Sequence, residues 1–192
     1  MNLKHYFIGI DLPAEIKSVL NQYTQSLKDS YPFQRWVHPE DYHLTLFFLG
    51  ACEDEKKQTL INQLYLEITQ LAPFQLTLGK AGTFGQVAKP RIFFKDVLKE
   101  SALVNNQQLI ANICERFDYE VDRRPFAPHI TLARRWDASF DYEPPSKLEK
   151  IWSWSVTEFC FFQTNIKRIP KYEVIATFPL KKSIEGRKDW PI

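Results

Sequence analysis

Hydrophobic and polar positions along this chain switch repeatedly between a period of two and a period of three to four. Tyr6 to Leu12 is a nearly continuous apolar run and reads as a buried strand. Pro13 follows it, at a position that the first turn of a helix tolerates. From Ala14 to Leu27, residues Ile16, Val19, Leu20, Tyr23 and Leu27 recur at helical spacing, which predicts an amphipathic helix. Tyr31 to Tyr42 has no sustained period and reads as a loop. His43 to Leu49 is a strand pattern, ended by Gly50. A second helix is expected from Glu53 to Leu71, with Leu60, Leu64, Ile68 and Leu71 on one face and Pro73 as its stop.

Further on, Phe74 to Gly79 and Arg91 to Val97 read as strands joined by the segment Lys80 to Pro90. Ser101 to Phe117 is a third helix with Leu103, Leu109, Ile110 and Ile113 inward. Pro128 to Arg134 is a strand and Asp137 to Pro145 a loop. Ile151 to Asn165 and Tyr172 to Leu180 are strands, and the charged tail from Lys181 is expected to fray. Strands mixed with helices, without regular βαβ alternation, predict an α+β fold.

Composition narrows the class. With 192 residues and 44% hydrophobic positions, the chain has enough apolar surface to fold, as one domain spanning 1–192 or as two small lobes within it. The apolar run at the N-terminus is too short for a signal-peptide core, and no stretch approaches the roughly 18 apolar residues of a membrane helix. Cys52, Cys114 and Cys160 form no CxxC pair, so reduced thiols in a cytoplasmic protein are expected, without a disulfide scaffold or cysteine zinc site. A net charge of +2 does not mark a bulk polyanion binder. Any anion site must arise from local placement of Arg and Lys.

An internal repeat adds chemistry. A shift of 86 residues lays His43-Leu44-Thr45-Leu46 on His129-Ile130-Thr131-Leu132, and Phe7 on Phe93. A looser echo at a shift of 82 lays Lys171 to Leu180 on Lys89 to Leu98. Two lobes related by a pseudo-twofold axis follow, although the helix after the first tetrapeptide lacks a counterpart after the second. In a strand, residues i and i+2 share a face, so His43 points with Thr45 and His129 with Thr131. Imidazole titrates near neutral pH, so one ring can donate a proton while the other accepts one. Hydroxyls are neutral donors suited to non-bridging phosphate oxygens. The pair fits displacement at phosphorus and requires no metal or other cofactor. HxH and HExxH patterns are absent, which argues against a metallohydrolase.

Two HxT strands are the signature of the 2H phosphoesterase superfamily. Arg35-Trp36-Val37, Pro39-Glu40, His43 to Leu46 and Phe48-Leu49-Gly50 resemble the first motif of RNA 2′,3′-cyclic phosphodiesterases, a family first described as 2′-5′ RNA ligases. Pro90 to Phe93, Phe126 to Arg134 and Tyr172 to Leu180 continue the resemblance. Phe84-Gly85 stands where many members have Phe-Pro, and Phe162-Gln163-Thr164 where Tyr-x-Ser is usual. The resemblance implies a bilobal fold, with two antiparallel sheets lining a central cleft and helices outside. It also implies hydrolysis of a 2′,3′-cyclic phosphate to a 2′-phosphate. By motif position, His43 is the proton donor to the 3′ oxygen and His129 the proton acceptor from water, while Thr45, Thr131 and Arg134 bind the phosphate. RNA ends or small cyclic nucleotides are the expected substrates of a cytoplasmic monomer with no membrane partner.

Other readings compete residue by residue. An isolated strand histidine is commonly structural, and His5 and His38 are assigned that role. Thr45 and Thr131 are also ordinary β-branched strand formers. Arg134 lies five residues after His129, so strict alternation turns it away from the histidines unless a bulge, the strand end or its length brings it back. Arg35, Arg91, Arg123, Arg124 and Arg135 either line an RNA path or are solvated surface. Phe47, counted on the His43 face, either stacks on a base or packs the core. At the level of function the rivals are 2′-5′ ligation at the same site and a non-catalytic module that binds RNA termini.

Overall fold

The computed structural model describes residues 4–145 and 151–181. Its elements are β1 (His5–Asp11), α1 (Ala14–Leu27), β2 (Phe33–Trp36), a 3-10 turn (Pro39–Asp41), β3 (His43–Ala51), α2 (Asp54–Ile68), β4 (Phe74–Gly85), β5 (Pro90–Val97), α3 (Ser101–Arg116), β6 (His129–Trp136), β7 (Ser153–Val156), β8 (Glu158–Thr164) and β9 (Tyr172–Pro179). The fold is α+β. Its strands form an antiparallel array in the order β7-β4-β5-β6-β3-β1-β8-β9, with β2 also paired to β6. The two halves of this array meet through a single pair, Leu44 with Ile130, so they diverge on either side of it. The helices and one face of the sheet bury the main core, which includes Ile8, Ile10, Leu44, Leu64, Phe93, Ile110, Ile130, Phe159 and Phe161. No helix among the described residues is long and apolar enough to cross a membrane.

Read outward from the β6–β3 junction, the strand order matches on both sides: β5 answers β1, β4 answers β8 and β7 answers β9. The echo at a shift of 82 does not describe this symmetry, because it lays β9 on β5. The repeat at 86 needs a correction too. Asp11 faces His43 and Asp96 faces His129, while Gly9 faces Thr45 and Phe94 faces Thr131. The offset from β1 to β5 is therefore 85, one less than between β3 and β6. Phe93 answers Ile8 in the core, and the counterpart of Phe7 is Ile92.

Four segments depart from the expected elements. The expected loop at Tyr31 to Tyr42 contains β2 and the 3-10 turn; Phe33 and Trp36 both pack on Phe93, which hides a period of two. The strand β4 runs on to Gly85 through glycines. Gly82 suits this stretch, since a Cβ there would lie 2.7 Å from the ring of Phe94. The run Ile151 to Asn165 divides at Thr157: β7 pairs with β4 in one half and β8 with β1 and β9 in the other. Both pieces bury side chains in the same core, so the apolar pattern does not break where the pairing does. Gly50 does not end β3, because its φ of +70° carries the strand past a bulge to Ala51. The tail expected to fray lies, beyond Lys181, outside the described residues.

Candidate active site

The β3 and β6 strands open with His43 and His129, and both carry the same irregularity. On β3, Leu44 and Leu46 are buried as alternation requires, but Phe47 is buried as well and Phe48 is 61% exposed. The pairing with β1 explains this: Gly9 faces Thr45 while Ile8 faces Phe47, which leaves Leu46 as an extra residue. On β6, Leu132 is the extra residue, Ala133 is buried and Arg134 is exposed. Each bulge inverts the alternation after the HxT pair. Arg134 thereby reaches the histidine face. The expected place for Phe47 is corrected: it is a core residue, and Phe48 occupies the cleft instead.

A cavity of about 190 Å³ opens where the two halves diverge. The strands β3 and β6 contribute His43, Thr45, Phe48, His129, Thr131 and Arg134, and their neighbours add Phe7, Ile92, Thr164 and Tyr172. None of these side chains is a carboxylate. His43 Nδ1 lies 2.8 Å from the carbonyl oxygen of Asp41, and His129 Nδ1 lies 2.7 Å from that of Ala127. A carbonyl oxygen only accepts, so both Nδ1 atoms carry hydrogen and each neutral ring has its lone pair on Nε2. In His43 that Nε2 lies 3.0 Å from Thr45 Oγ1, whose hydroxyl donates to it.

Aromatic rings fix the imidazoles further. His43 packs on Phe7 at 4.6 Å and edge-on to Tyr172 at 4.8 Å, over a small apolar cluster formed by Phe7, Cys160 and Phe162. His129 lies against Phe84 at 4.8 Å and Phe94 at 5.3 Å. Burial pushes the His43 pKa down to about 4; the positive charges of Lys171 and Arg134 act in the same sense, against the carbonyl bond and charge of Asp41. Burial lowers His129 too, assisted by Arg134 and opposed by the Ala127 carbonyl and Asp96. Both rings are therefore neutral at pH 7 before an anion enters the cleft. An entering anion favours protonation of one of them.

Asp41 escaped the sequence reading. Its carboxylate, in a residue 5% exposed, accepts the N–H groups of Lys171 at 2.9 Å and Tyr172 at 3.0 Å, while its main-chain oxygen holds His43. One residue thus ties the start of β9 to the ring of His43. The available signal was an asymmetry of the repeat, Asp41 in one copy against Ala127 in the other. Phe7, Ile92 and Tyr172 were also missed as cleft residues, because they come from strands flanking the motif. Of the arginines considered, only Arg134 lines the cavity. Arg124 is engaged with Asp122 at 2.9 Å, and Arg123 and Arg135 are exposed. His38 accepts the N–H of Glu40 at the 3-10 turn, a structural role as assigned.

Comparison with known proteins agrees with this geometry. Residues 10–94 match the family model described as LigT like Phosphoesterase. A protein of Geobacillus stearothermophilus named RNA 2′,3′-cyclic phosphodiesterase is 39% identical over 191 residues, covering 97% of this chain and 60% of that protein. The chain thus spans three-fifths of that relative. A Bacillus subtilis protein of the same name is 33% identical over 178 residues, covering 92% of this chain and 96% of its own. Among solved structures, E. coli LigT complexed with 3′-AMP superposes with a TM-score of 0.77 at 28% identity, covering 93% of this chain and 99% of that one.

Proposed function

The chain belongs to the LigT-like phosphoesterase family, and from that membership and the cleft geometry we propose that it hydrolyses 2′,3′-cyclic phosphates of RNA ends to 2′-phosphomonoesters. The observation that carries this reading is the paired arrangement of His43 and His129: each ring is held through Nδ1 by a carbonyl two residues upstream, leaving Nε2 for the chemistry. Relatives named for this activity and a neighbour crystallised with a nucleotide support the substrate class.

In this scheme Thr45, Thr131 and the Arg134 guanidinium hold the non-bridging oxygens of the cyclic phosphate. Nε2 of His129 takes a proton from water as its oxygen attacks phosphorus. The bond from phosphorus to the 3′ oxygen breaks on the opposite side, and protonated His43 supplies that oxygen with its proton. His129 leaves the cycle protonated and His43 neutral, and exchange with solvent resets both. Positioning plus proton transfer by each ring supplies the rate, on the order of 10²–10⁴-fold per group. No step is routed through a metal.

Incubation with the four nucleoside 2′,3′-cyclic phosphates, in the presence of excess chelator, tests the proposal. Chromatography should resolve 2′-monophosphates as products. Formation of 3′-monophosphates, or activity that disappears with chelator and returns with a divalent ion, contradicts it.

A further inference from the structure

The β6 strand pairs along one edge with two different strands. Near its start Ile130 meets Leu44 of β3; from Ala133 to Trp136 the partner is β2. In that second stretch Arg35 lies directly opposite Arg134, and Trp36 opposite Ala133. Ala133 is buried in the core and Trp36 packs there on Phe93. Residues paired across an antiparallel ladder share a face, so Arg35 and Arg134 project together from the other side, where the cleft lies. Their Cα atoms are separated by about 5 Å.

Two like charges directly opposite each other destabilise a sheet. Among the described residues, neither Arg35 nor Arg134 has an ion-pair partner and no carboxylate lines the cavity. The pair is relieved by an anion. Arg134 already faces the cavity that holds the histidines, whereas Arg35 stands one strand outside it.

We propose that Arg35 forms a second phosphate subsite, which receives the phosphodiester immediately 5′ of the terminal nucleotide when the cyclic phosphate belongs to an RNA strand. The inference rests on the hydrolase reading above and specifies its substrate. A 2′,3′-cyclic phosphate at a strand end is separated by one ribose from the preceding phosphodiester, and a cyclic mononucleotide has no such group. With Arg134 on the reacting phosphate, the adjacent guanidinium meets the next charge along the backbone. The cleft therefore selects RNA ends over free cyclic nucleotides through one arginine that does not touch the reacting atoms.

The test compares kcat/KM for a nucleoside 2′,3′-cyclic phosphate with that for a dinucleotide carrying the same terminal cyclic nucleoside, in the wild type, Arg35→Gln, Arg35→Lys and Arg91→Gln. Arg91, exposed on β5 and not among the residues lining the cleft, serves as a charge control. Arg35→Gln should lower the dinucleotide value about tenfold or more, the scale of a lost hydrogen bond to a charged group, and leave the mononucleotide within about twofold. The salt dependence of the dinucleotide reaction should fall by about 0.7 in its log–log slope. Arg35→Lys should recover part of the loss, and Arg91→Gln should leave the ratio of the two substrates unchanged. Equal losses on both substrates, or none on either, overturn the subsite. Calorimetric binding of the two 2′-phosphate products runs alongside. If the wild type turns over neither substrate, the hydrolase reading fails, and the binding ratio in Arg35→Gln still decides the subsite.

Discussion

Phe48 and Arg134 occupy equivalent positions on β3 and β6, each turned into the cleft by a bulge after its HxT pair. The pseudo-twofold therefore places an aromatic ring on one side of the reacting centre and a guanidinium on the other. On the proposed reading, that asymmetry orients the substrate, with charge on the Arg134 side and an apolar or stacking group on the Phe48 side.

Replacement of the two residues should separate these contributions. Arg134→Gln should weaken binding of a nucleoside 2′-monophosphate and of inorganic phosphate alike, by about 1.5–3 kcal/mol. Phe48→Ala should weaken the nucleotide by about 1–3 kcal/mol and leave inorganic phosphate unchanged. Calorimetric titration with both ligands reads the difference. Equal effects of Phe48→Ala on both ligands would remove the stacking role.

Asp41 acts through other groups, by holding His43 and the start of β9. Asp41→Ala should lower kcat about tenfold, the scale of losing one or two buried hydrogen bonds, with less change in KM. Asp41→Asn retains an oxygen acceptor for Lys171 and Tyr172 and should recover most of kcat. It also removes a negative charge that raises the His43 pKa, so the limb of its kcat/KM profile that reports His43 should move to lower pH. An Asn variant as impaired as Ala, with an unmoved pH profile, contradicts this positioning role.

The pH dependence follows from the two depressed imidazoles. In the proposed mechanism, productive encounter requires His43 protonated and His129 neutral. With His43 near 4 and His129 also below its ordinary value, kcat/KM should be bell-shaped, with both limbs below about 6.5 and macroscopic values belonging to the coupled pair. A bound phosphate anion raises the affinity for a proton, so the alkaline limb of kcat should lie at higher pH than that of kcat/KM. Product binding at pH 7 should accordingly be accompanied by proton uptake, measured by calorimetry in buffers of different ionisation enthalpy. Binding without proton uptake contradicts the scheme.

The same shifts bear on folding. A histidine with a folded pKa below its unfolded one binds more protons when unfolded, so its stabilising effect is complete above about pH 6.5 and declines as pH falls. For His43 the decline continues to about pH 4. Urea unfolding across this range should show stability decreasing with acidity, and His43→Gln should flatten the slope. An unchanged slope in that variant assigns the acid sensitivity to other groups.

The sequence displayed the candidate site more clearly than the geometry around it. His43, Thr45, His129 and Thr131 were legible because a period of two and a repeated tetrapeptide fix which side chains share a face. The helix α1 was legible to the residue, since its apolar stripe and Pro13 set both its facing and its start. The bulges at Leu46 and Leu132 were not legible, because a bulge is a property of pairing with β1 and β5 and leaves no mark on β3 or β6 alone. The misplaced Phe47 followed from that, whereas the apparent match of Phe7 with Phe93 came from a one-residue difference between the segment joining β1 to β3 and the segment joining β5 to β6. The Asp41 contact to β9 joins residues 131 positions apart and is visible only once the sheet has closed around the cleft.

Turnover by His43→Ala and His129→Ala is the most direct test of the two-histidine mechanism. Each variant should hydrolyse a nucleoside 2′,3′-cyclic phosphate at least about 100-fold more slowly than the wild type, while binding of the 2′-phosphate product weakens far less. The double variant should be much less than multiplicatively impaired if the rings act as one unit. Near-wild-type turnover in either single variant, with the fold intact by circular dichroism, contradicts the assignment of that histidine.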